Sequence, residues 1–363
     1  MSETEIARLR DEIAEVDREI IGLVAKRLGL AAEVGLEKRI LSRPLRDPRA
    51  EELVRARLLA EARKRGVSPP FGEGLARLLI DESLQRQESV RPLMSIHQRV
   101  LVVGGAGRMG QWLCRFFRSR GWDVVVNDIA GPLEGFLFEP DLEKGVQEAD
   151  VIAVSVPMSV SAEVLRSIAV MKPKALVFDV CSLKAPVERE LRAMSRSGLR
   201  IASVHPLFGP NLWPISSGNI TFSDCGNDKA VLEAKELFHA SGASLVDIPL
   251  DCHDESMAFL LGLSHLCLLT FARCVAESPF DLAGLKSPAG TTFSRLSIAA
   301  EGLLADSPTL LRDIQALNPH TPLIHRRIRE TLDEWQNATA SEGADFLRLI
   351  GQTRTNFAGW ASR

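Results

Sequence analysis

Apolar residues near the N-terminus recur at intervals of three and four, which is the spacing of one face of an α-helix. The pattern predicts a single helix to about residue 39, with apolar positions at Ile6, Leu9, Ile13, Val16, Ile20, Leu23, Leu30 and Val34. A helix of that length extends about 55 Å, which is more than the width of a small domain. We therefore expect it to pack against a second copy of the chain.

Two shorter helices are predicted next, over residues 49–65 and 74–88. Together with the long helix they predict a helical domain over residues 1–90, followed by a linker over residues 91–98. The pattern alone is equally compatible with a plain dimerisation module and with a bundle that binds a ligand.

Five polar residues of this domain stand out by their positions on the predicted helices. Arg27 interrupts the apolar series of the long helix, and a buried cation requires a carboxylate or an anionic ligand as its partner. Asp47 and Glu51 lie one turn apart at the start of the second helix, and Ser83 and Gln87 share one face of the third.

Between residues 99 and 250 the pattern changes to short β-branched and aliphatic runs that alternate with helical segments. The runs lie at residues 100–103, 123–127, 150–157 and 175–179. This alternation predicts a parallel, doubly wound sheet whose ligands bind at the carboxyl ends of the strands. Four residues fall at those ends, namely Ser155, Pro157, Ser182 and Lys184.

A glycine-rich turn, Gly105-Ala-Gly107-Arg-Met-Gly110, joins the first of these strands to a helix predicted over residues 108–120. Its glycines permit the tight turn, the approach of a pyrophosphate and close packing of the helix, and Arg108 and Met109 lie at the helix start, where free N–H groups bind phosphate. Asp128 ends the next strand, where a carboxylate accepts hydrogen bonds from a ribose and repels a 2′-phosphate. The segment predicts a Rossmann-type α/β domain that binds NAD in preference to NADP.

A later strand leads into His205, and the prolines at positions 206 and 210 restrict the chain after it. An imidazole held in this way suits a general base beside a nicotinamide, although a lone histidine is also common as a structural residue. Beyond residue 251 the pattern is helical to the C-terminus, with apolar-rich segments at 252–277 and 290–305. We expect residues 251–363 to form an all-α domain that contributes to dimerisation.

Composition excludes several classes of function. The 363 residues carry a formal net charge of -3, with 45% hydrophobic and 25% charged residues, so neither a nucleic acid nor an anionic membrane is an expected partner. No apolar run reaches the roughly 18 residues that span a bilayer, and the acidic N-terminus does not resemble a signal peptide, so we expect a cytoplasmic protein. The six cysteines and seven histidines lack metal-ligand spacing, so no metal site is predicted.

Several motifs in residues 3–88 together resemble the all-helical chorismate mutase family. They are Leu9-Arg-Asp-Glu-Ile-Ala-Glu-Val-Asp17, Ala25-Lys-Arg27, Val34-Gly-x-x-Lys38, Pro44-x-x-Asp47-Pro48 and Ser83-x-x-x-Gln87. The resemblance implies a Claisen rearrangement of chorismate to prephenate. This reaction needs no nucleophile, because a compactly held dianion and a donor at the ether oxygen suffice.

The resemblance also implies a role for each polar residue. Arg10 of the partner subunit and Arg27 would bind the two substrate carboxylates, and Ser83 would contact a carboxylate. Lys38 and Gln87 would face the ether oxygen.

Asp47 and Glu51 would face the ring hydroxyl, but the motif between them departs from the family. The family has Asp-Pro-x-Arg-Glu, whereas this chain has Ala50 in place of that arginine and Arg49 one position early. One step turns a side chain by about 100° on a helix, so Arg49 cannot take its place. A weakened or non-catalytic mutase domain that serves dimerisation or sensing therefore remains an alternative.

Residues 99–363 resemble prephenate dehydrogenase. The motifs are the glycine-rich turn, Asp179-x-x-Ser182-x-Lys184, His205-Pro-x-Phe-Gly-Pro210 and His253-Asp-x-x-Met-Ala258. The resemblance implies NAD-dependent oxidative decarboxylation of prephenate to 4-hydroxyphenylpyruvate. His205 would deprotonate the ring hydroxyl and Arg295 would hold a substrate carboxylate, while the further members of the site would be Ser182, Lys184, His253 and His265.

The order of the two resemblances is that of the bifunctional chorismate mutase/prephenate dehydrogenases of tyrosine biosynthesis. They imply a helical mutase domain, then a Rossmann-type domain over residues 99–250 and the helical C-terminal domain, in a homodimer with tyrosine as a candidate feedback inhibitor. Two alternatives stay open, namely arogenate as the substrate in place of prephenate, and an NAD-binding scaffold without catalysis.

Overall fold

A computed structural model describes residues 3–41, 43, 47–89, 98–212, 218–239, 241–340 and 343–358. The chain divides into two compact units. One consists of Met1–Ser182 with Pro186–Leu250, and the other of Leu183–Ala185 with Asp251–Arg363. Three residues from the middle of the chain thus belong to the C-terminal unit. Apart from Gln98, the predicted linker at 91–98 lies outside the described residues.

The N-terminal helices confirm the predicted helical domain, and their bounds are α1 Glu3–Ile40, α2 Pro48–Lys64 and α3 Pro69–Ser89. Asp47 caps α2, and proline at its first position lacks the N–H that would be unpaired there. Helix α3 begins five residues before the predicted start, because prolines 69 and 70 are tolerated in a first turn.

Glycine allows α1 and α3 to approach closely near the C-terminal end of each helix. A Cβ atom on Gly35 would lie 2.7 Å from the Cα atom of Gln87, so any other residue there would push the helices apart. Further back along both helices, Arg27 contacts Ser83. The two contacts show that α1 and α3 run in the same direction.

Eight strands form one sheet in the order β3-β2-β1-β4-β5-β6-β7-β8. Their bounds are β1 Arg99–Val103, β2 Asp123–Asn127, β3 Leu137–Phe138, β4 Val151–Val154, β5 Leu176–Asp179, β6 Ile201–Pro206, β7 Asn219–Ser223 and β8 Ser244–Asp247. The prediction of a wholly parallel sheet is wrong at one ladder, because β7 pairs antiparallel with β6. The described residues between these two strands form no helix, and a parallel return requires a crossover, usually a helical one.

The helices that alternate with these strands are α4 Arg108–Ser119, α5 Leu142–Glu148, α6 Met158–Val170, α7 Glu188–Arg196 and α8 Asp228–His239. The rings of Phe116 and Phe238 stack with centroids 5.1 Å apart, and Trp112 stacks on Phe116 at 5.3 Å. These side chains are buried against the strands. The aromatic core therefore fixes α4, and with it the glycine-rich turn at its start.

The C-terminal unit is helical, as predicted. Its elements are α9 Leu250–Met257, a π-helical turn Ala258–Leu263, α10 Ser264–Ala276, α11 Leu282–Lys286, α12 Thr291–Leu304, α13 Pro308–Ala316, α14 Thr321–Ala340 and α15 Ala344–Phe357.

One helix corrects an expectation about apolar length. The elements α9, the π turn and α10 run without a break over Leu250–Ala276, whose most apolar window has a mean hydropathy of 1.8 and is 11% buried. By length and composition alone, this helix could cross a membrane. The polar residues Ser264 and His265 interrupt the apolar run in the sequence, but they do not interrupt the helix.

Candidate active sites

The loop after β1 is closed by contacts that leave no room for side chains. Gly104 has φ +82°, and a Cβ atom there would lie 2.4 Å from the carbonyl oxygen of Ser155. A Cβ atom on Gly110 would lie 2.1 Å from the carbonyl oxygen of Gly104. Gly104 lies directly before the Gly105–Gly110 motif and was not among the predicted residues, although a glycine at that position is visible in the sequence.

The other two glycines of the turn differ in what surrounds them. A Cβ atom on Gly105 would lie 2.8 Å from a methyl group of Val126 on β2, so close packing on the strand requires this glycine. On Gly107 the nearest atom would be 3.3 Å away, the carbonyl oxygen of Gly104. The loop is thus tight on its protein side and open at Gly107, which suits a pyrophosphate approaching the backbone.

Asp128 ties the end of β2 to the glycine-rich turn. One carboxylate oxygen accepts a hydrogen bond from the N–H of Ala106 at 2.8 Å, and the other accepts from the N–H of Ala130 at 2.8 Å. Each oxygen keeps a further lone pair for a ribose hydroxyl. The next residue, Ile129, is fully exposed beside it and was not singled out in the sequence.

Two helix starts lie beside this loop at the carboxyl edge of the sheet. Gly107 precedes α4 and Pro157 precedes α6, and no side chain caps either helix. Arg108 is exposed in the first turn of α4, whereas Met109 packs partly against the core. Uncapped N–H groups at both positions can bind phosphate oxygens.

His205 occupies the carboxyl end of β6. It is 3% exposed and lies opposite Thr221 of β7. Two positions earlier, and hence on the same face of the strand, the hydroxyl of Ser203 donates to the carboxylate of Asp179 at 2.6 Å. Asp179 also accepts from the N–H of Cys181 at 2.9 Å, so this buried acid organises the ends of β5 and β6. The sequence analysis quoted Asp179 in a motif but gave it no role.

The strand order places the predicted residues of this unit along one edge. The strands β1, β4, β5 and β6 are consecutive neighbours and parallel. Their carboxyl ends lead respectively to the glycine-rich turn, Ser155, Ser182 and His205. The order also reverses between β1 and β4, and ligands of such sheets bind at that point.

In the C-terminal unit, Asp254 gathers three hydrogen bonds. The N–H groups of Lys184 and Ala185 each donate to its carboxylate at 2.7 Å, and Nδ1 of His253 lies 2.8 Å from the same group. Burial tends to raise the pKa of the Asp254 carboxyl, but the hydrogen bonds from His253, Lys184 and Ala185 together hold it below its usual value. Asp254 is therefore a buried anion near neutral pH.

The remaining predicted residues of this unit lie on α10 and α12. His265 is half-buried near the start of α10, and its Nδ1 atom has no hydrogen-bond partner among the described residues. Burial lowers the pKa of His265, against an opposing effect of Asp306, so the ring is neutral at pH 7. Arg295 is exposed on α12, and the rings of Phe271 and Phe293 hold α10 and α12 together.

In the helical domain, the structure brings Arg27 to Ser83. The guanidinium donates to the carbonyl oxygen of Leu79 at 2.6 Å and to the hydroxyl of Ser83, which itself donates to the same carbonyl at 2.6 Å. Burial, followed by the charge of Arg57, lowers the pKa of Arg27. Both acceptors are neutral, so the positive charge is left for an anionic ligand.

Lys38 faces the start of α2. Burial lowers the pKa of Lys38, and the charges of Asp47 and Glu51 oppose that shift. A cavity of ≈ 760 Å³ opens here, lined by Leu30, Glu33, Val34, Glu37, Lys38, Leu41, Arg43, Asp47 and Pro48. Asp47 also accepts hydrogen bonds from the N–H groups of Arg49 and Ala50 at 3.1 Å, a capping role that the sequence analysis did not assign.

Gln87 and Arg10 complete the predicted set in different ways. Gln87 is 7% exposed, and its side-chain oxygen has no hydrogen-bond partner among the described residues. Arg10 is exposed on α1, where every residue from 6 to 23 is also exposed. A single chain therefore assembles Arg27, Lys38, Ser83 and Gln87 around α1 and α3, and the assignment of Arg10 to a partner's site stays a prediction.

Two family models match the chain. The model for chorismate mutase type II matches residues 9–88, and the model for the nucleotide-binding domain of prephenate dehydrogenase matches residues 135–222. All seven predicted mutase residues lie in the first segment, and His205 lies in the second. The glycine-rich turn precedes the second segment, and His253, His265 and Arg295 follow it.

Relatives match across both segments. The chain is 29% identical over 315 residues to the T-protein of Enterobacter agglomerans, covering 85% of this chain and 81% of that protein. It is 27% identical over 335 residues to the T-protein of Haemophilus influenzae, covering 90% and 85%.

The fold also matches a solved structure. The prephenate dehydrogenase from A. aeolicus, in complex with hydroxyphenyl propionate and NAD+, superposes with a TM-score of 0.56 at 17% sequence identity, covering 73% of this chain and 99% of that chain. At this identity, the likeness concerns the fold alone. The chain therefore contains a segment that matches chorismate mutase type II and a later segment that matches the nucleotide-binding domain of prephenate dehydrogenase, and it is similar to T-proteins over 85 to 90% of its length.

Proposed function

We propose that the helical domain rearranges chorismate to prephenate and that the rest of the chain oxidises and decarboxylates prephenate to 4-hydroxyphenylpyruvate with NAD+. The observation that carries the proposal is the row of strand ends at which buried His205 follows the glycine-rich turn along one edge of the sheet. A second observation supports the first reaction: among the described residues, the guanidinium of Arg27 donates to neutral acceptors, the carbonyl of Leu79 and the hydroxyl of Ser83.

In the first reaction, the residues act by electrostatics alone. Arg27 binds one carboxylate of chorismate, and Ser83 fixes the guanidinium through its hydroxyl. Lys38 and the NH₂ group of the buried Gln87 donate to the ether oxygen, where negative charge develops as the carbon–oxygen bond breaks. Arg10 of the partner subunit binds the second carboxylate.

The residues at the carboxyl edge of the sheet fit NAD. The open side of the loop at Gly107 and the uncapped starts of α4 and α6 accept the pyrophosphate, while Asp128 accepts hydrogen bonds from the ribose. The carboxylate of Asp128 repels a 2′-phosphate, which favours NAD over NADP. When bound, NAD+ supplies the acceptor for a hydride.

His205 carries the proton of the second reaction. It accepts the proton of the ring 4-hydroxyl as the hydride leaves the same carbon, and a carbonyl forms there. Loss of the ring carboxylate as CO₂ then leaves its electron pair in the ring, which becomes aromatic, and the oxygen takes a proton back. Arg295 holds a substrate carboxylate, Ser182 orients His205 or the hydroxyl, and Lys184, His253 and His265 are further members of the site.

A homodimer is part of the proposal. Helix α1 exposes its apolar series in the single chain, including Ile13 at 60% and Ile20 at 50%, and a second copy would cover that series. Helices α10 and α12 offer a second apolar surface, with Leu296 and Ile298 exposed. A dimer would also bring Arg10 of one subunit to its partner.

Two further proposals concern regulation and location. Tyrosine shares its 4-hydroxyphenyl group and its carboxylate with the product, which supports it as a feedback inhibitor. For the location we propose the cytoplasm, and the six cysteines, all free thiols, suit that reducing compartment.

The proposal is tested by adding prephenate and NAD+ to the purified protein and recording NADH fluorescence, with His205→Asn as the comparison. We expect NADH from the parent protein and a loss of about 100-fold or more in the variant, since general base catalysis contributes that much. Consumption of chorismate by the variant serves as the control for folding and should not change. Equal NADH formation by both proteins would contradict the role of His205, and none from either would contradict the dehydrogenase.

A further inference from the structure

We propose that Asp254 is a positioning residue of the dehydrogenase, which fixes the ring of His253 in the tautomer that carries its proton on Nδ1. The inference rests on the proposed function only in so far as His253 belongs to that site. Asp254 lies outside both segments matched by the family models, and it occurs in the motif His253-Asp-x-x-Met-Ala258 without an assigned role.

The first step is the contact between the two side chains. Nδ1 of His253 lies 2.8 Å from a carboxylate oxygen of Asp254, and His253 is 0% exposed. A carboxylate is an acceptor only, so an unprotonated Nδ1 at this distance would set two lone pairs against each other. The proton is therefore on Nδ1, and a neutral His253 is unprotonated at Nε2.

The second step is the network that holds Asp254 itself. Its carboxylate also accepts from the N–H groups of Lys184 and Ala185, at 2.7 Å each. Its backbone carbonyl accepts from the side-chain amide of Asn318 at 2.8 Å, and Asn318 is buried. With three donors converging on two oxygens, the carboxylate has one orientation, and so does the imidazole bonded to it.

The third step concerns where these contacts lie. Leu183–Ala185 belong to the C-terminal unit together with Asp254, although the chain before and after these three residues belongs to the other unit. Asp254 therefore fixes two predicted site residues at once, the ring of His253 directly and Lys184 through its backbone N–H. A purely structural acid would need only the contacts to Lys184 and Ala185.

The variant Asp254→Asn tests whether the carboxylate of Asp254 is needed for dehydrogenase activity. Its amide has one acceptor oxygen and turns an NH₂ group toward one of the three donors, so it cannot satisfy all of them. We expect kcat/KM for prephenate to fall about 10- to 100-fold, as for partners of functional histidines in metal sites. Glu255→Gln, the same change at the exposed neighbouring position, should leave it unchanged. Mutase activity of each variant, which resides in the helical domain, controls for folding.

A double-mutant cycle with His253→Gln gives the decisive comparison. If Asp254 acts through His253 as well as through Lys184, Asp254→Asn should cause a clearly smaller loss once His253 has been replaced than it causes in the parent protein. Fully additive losses would overturn the inference and would mean that Asp254 acts only by holding Lys184 and Ala185. Unchanged activity in the single variant Asp254→Asn would overturn it as well.

Nitrogen-15 NMR of histidine-labelled protein reads the tautomer without any activity. The His253 signals are assigned from their absence in His253→Gln, and we expect a protonated Nδ1 and an unprotonated Nε2 in the parent protein. An Nε2-protonated ring in the parent would overturn the inference, even if Asp254→Asn failed to fold. If the parent protein had no dehydrogenase activity, the proposed function would fail, while this spectrum would still test Asp254.

Discussion

The helical domain and the nucleotide-binding sheet differ in how far their apolar residues are buried within one chain. Strands β4 and β5 are buried along their whole length, whereas α1 buries no residue between positions 6 and 23. The sheet and its helices complete a core within one chain, whereas the described residues leave α1 exposed from position 6 to position 23. Under the proposed function, we therefore expect the second reaction to use the strands of one subunit and the first to depend on a second copy of α1.

The largest expected effect comes from breaking that dependence. Replacing Ile13 and Ile20 together by Asp puts two charges into the proposed α1 interface, and burying an unpaired charge is prohibitive. We expect mutase activity to fall more than about 100-fold, because the partner's Arg10 is lost along with one electrostatic contact to the substrate. Sedimentation should show the changed association, and Glu19→Gln on the same helix is the control.

The dehydrogenase activity of the same double variant tests whether the two regions function independently. NADH formation from prephenate should persist in the double variant, since its residues lie outside α1. Equal loss of both activities would show that the two regions are not independent in the way proposed here.

A smaller effect is expected from Arg27→Gln. This change removes the cation but keeps a donor for the carbonyl of Leu79, so the helices should still pack. Loss of one charged contact to a carboxylate predicts a fall of about 100-fold in mutase kcat/KM. The dehydrogenase should not change, and the exposed Lys26→Gln is the matched control. A mutase unaffected by Arg27→Gln would favour the dimerisation module over an active site.

A still smaller effect is expected on the preference for NAD+ over NADP+ when Asp128 is replaced. Asp128→Asn removes the charge that repels a 2′-phosphate while keeping one oxygen for the N–H of Ala106. We expect KM for NAD+ to rise about tenfold, as for the loss of a hydrogen bond to a charged group, and NADP+ to become a usable oxidant. Steady-state rates with the two cofactors measure this, and an unchanged ratio of their kcat/KM values would contradict the role of Asp128.

The smallest effect is on pH dependence. Burial lowers the pKa of Lys38, and only its protonated form donates a charged hydrogen bond to the ether oxygen. Mutase activity should therefore decline as pH rises at values below the ordinary lysine pKa of about 10.4. The profile for Lys38→Arg should stay flat over that range, because a guanidinium remains charged. Identical profiles for the two proteins would assign the decline to another group.

Sequence patterns predicted the elements whose contacts are local or periodic. The long helix, the strand Asp123–Asn127 and the glycine-rich turn follow from periodicity and from steric needs that a short segment carries in itself. Strands β3, β7 and β8 were not predicted, and β7 pairs with β6 across a segment without a helical signal.

Contacts between distant positions explain the rest of what the sequence did not reveal. Asp254 meets the N–H of Lys184, which lies 70 residues away, and no local pattern encodes that bond. Position 35 requires glycine because α3 approaches α1 at Gln87. The motif Val34-Gly-x-x-Lys38 contains this glycine, but the sequence does not show which helix packs against it. The π turn at Ala258–Leu263 likewise looks like ordinary helix in a hydrophobicity pattern.

The central claim, that one chain performs two consecutive reactions, is tested most directly by supplying chorismate and NAD+ and recording NADH with no other enzyme present. We predict NADH from the parent protein and almost none from Arg27→Gln or His205→Asn alone, with prephenate rescuing only Arg27→Gln. NADH from prephenate but none from chorismate in the parent protein would contradict the account and leave the helical domain, with Ala50 in its second helix, as a module without catalysis.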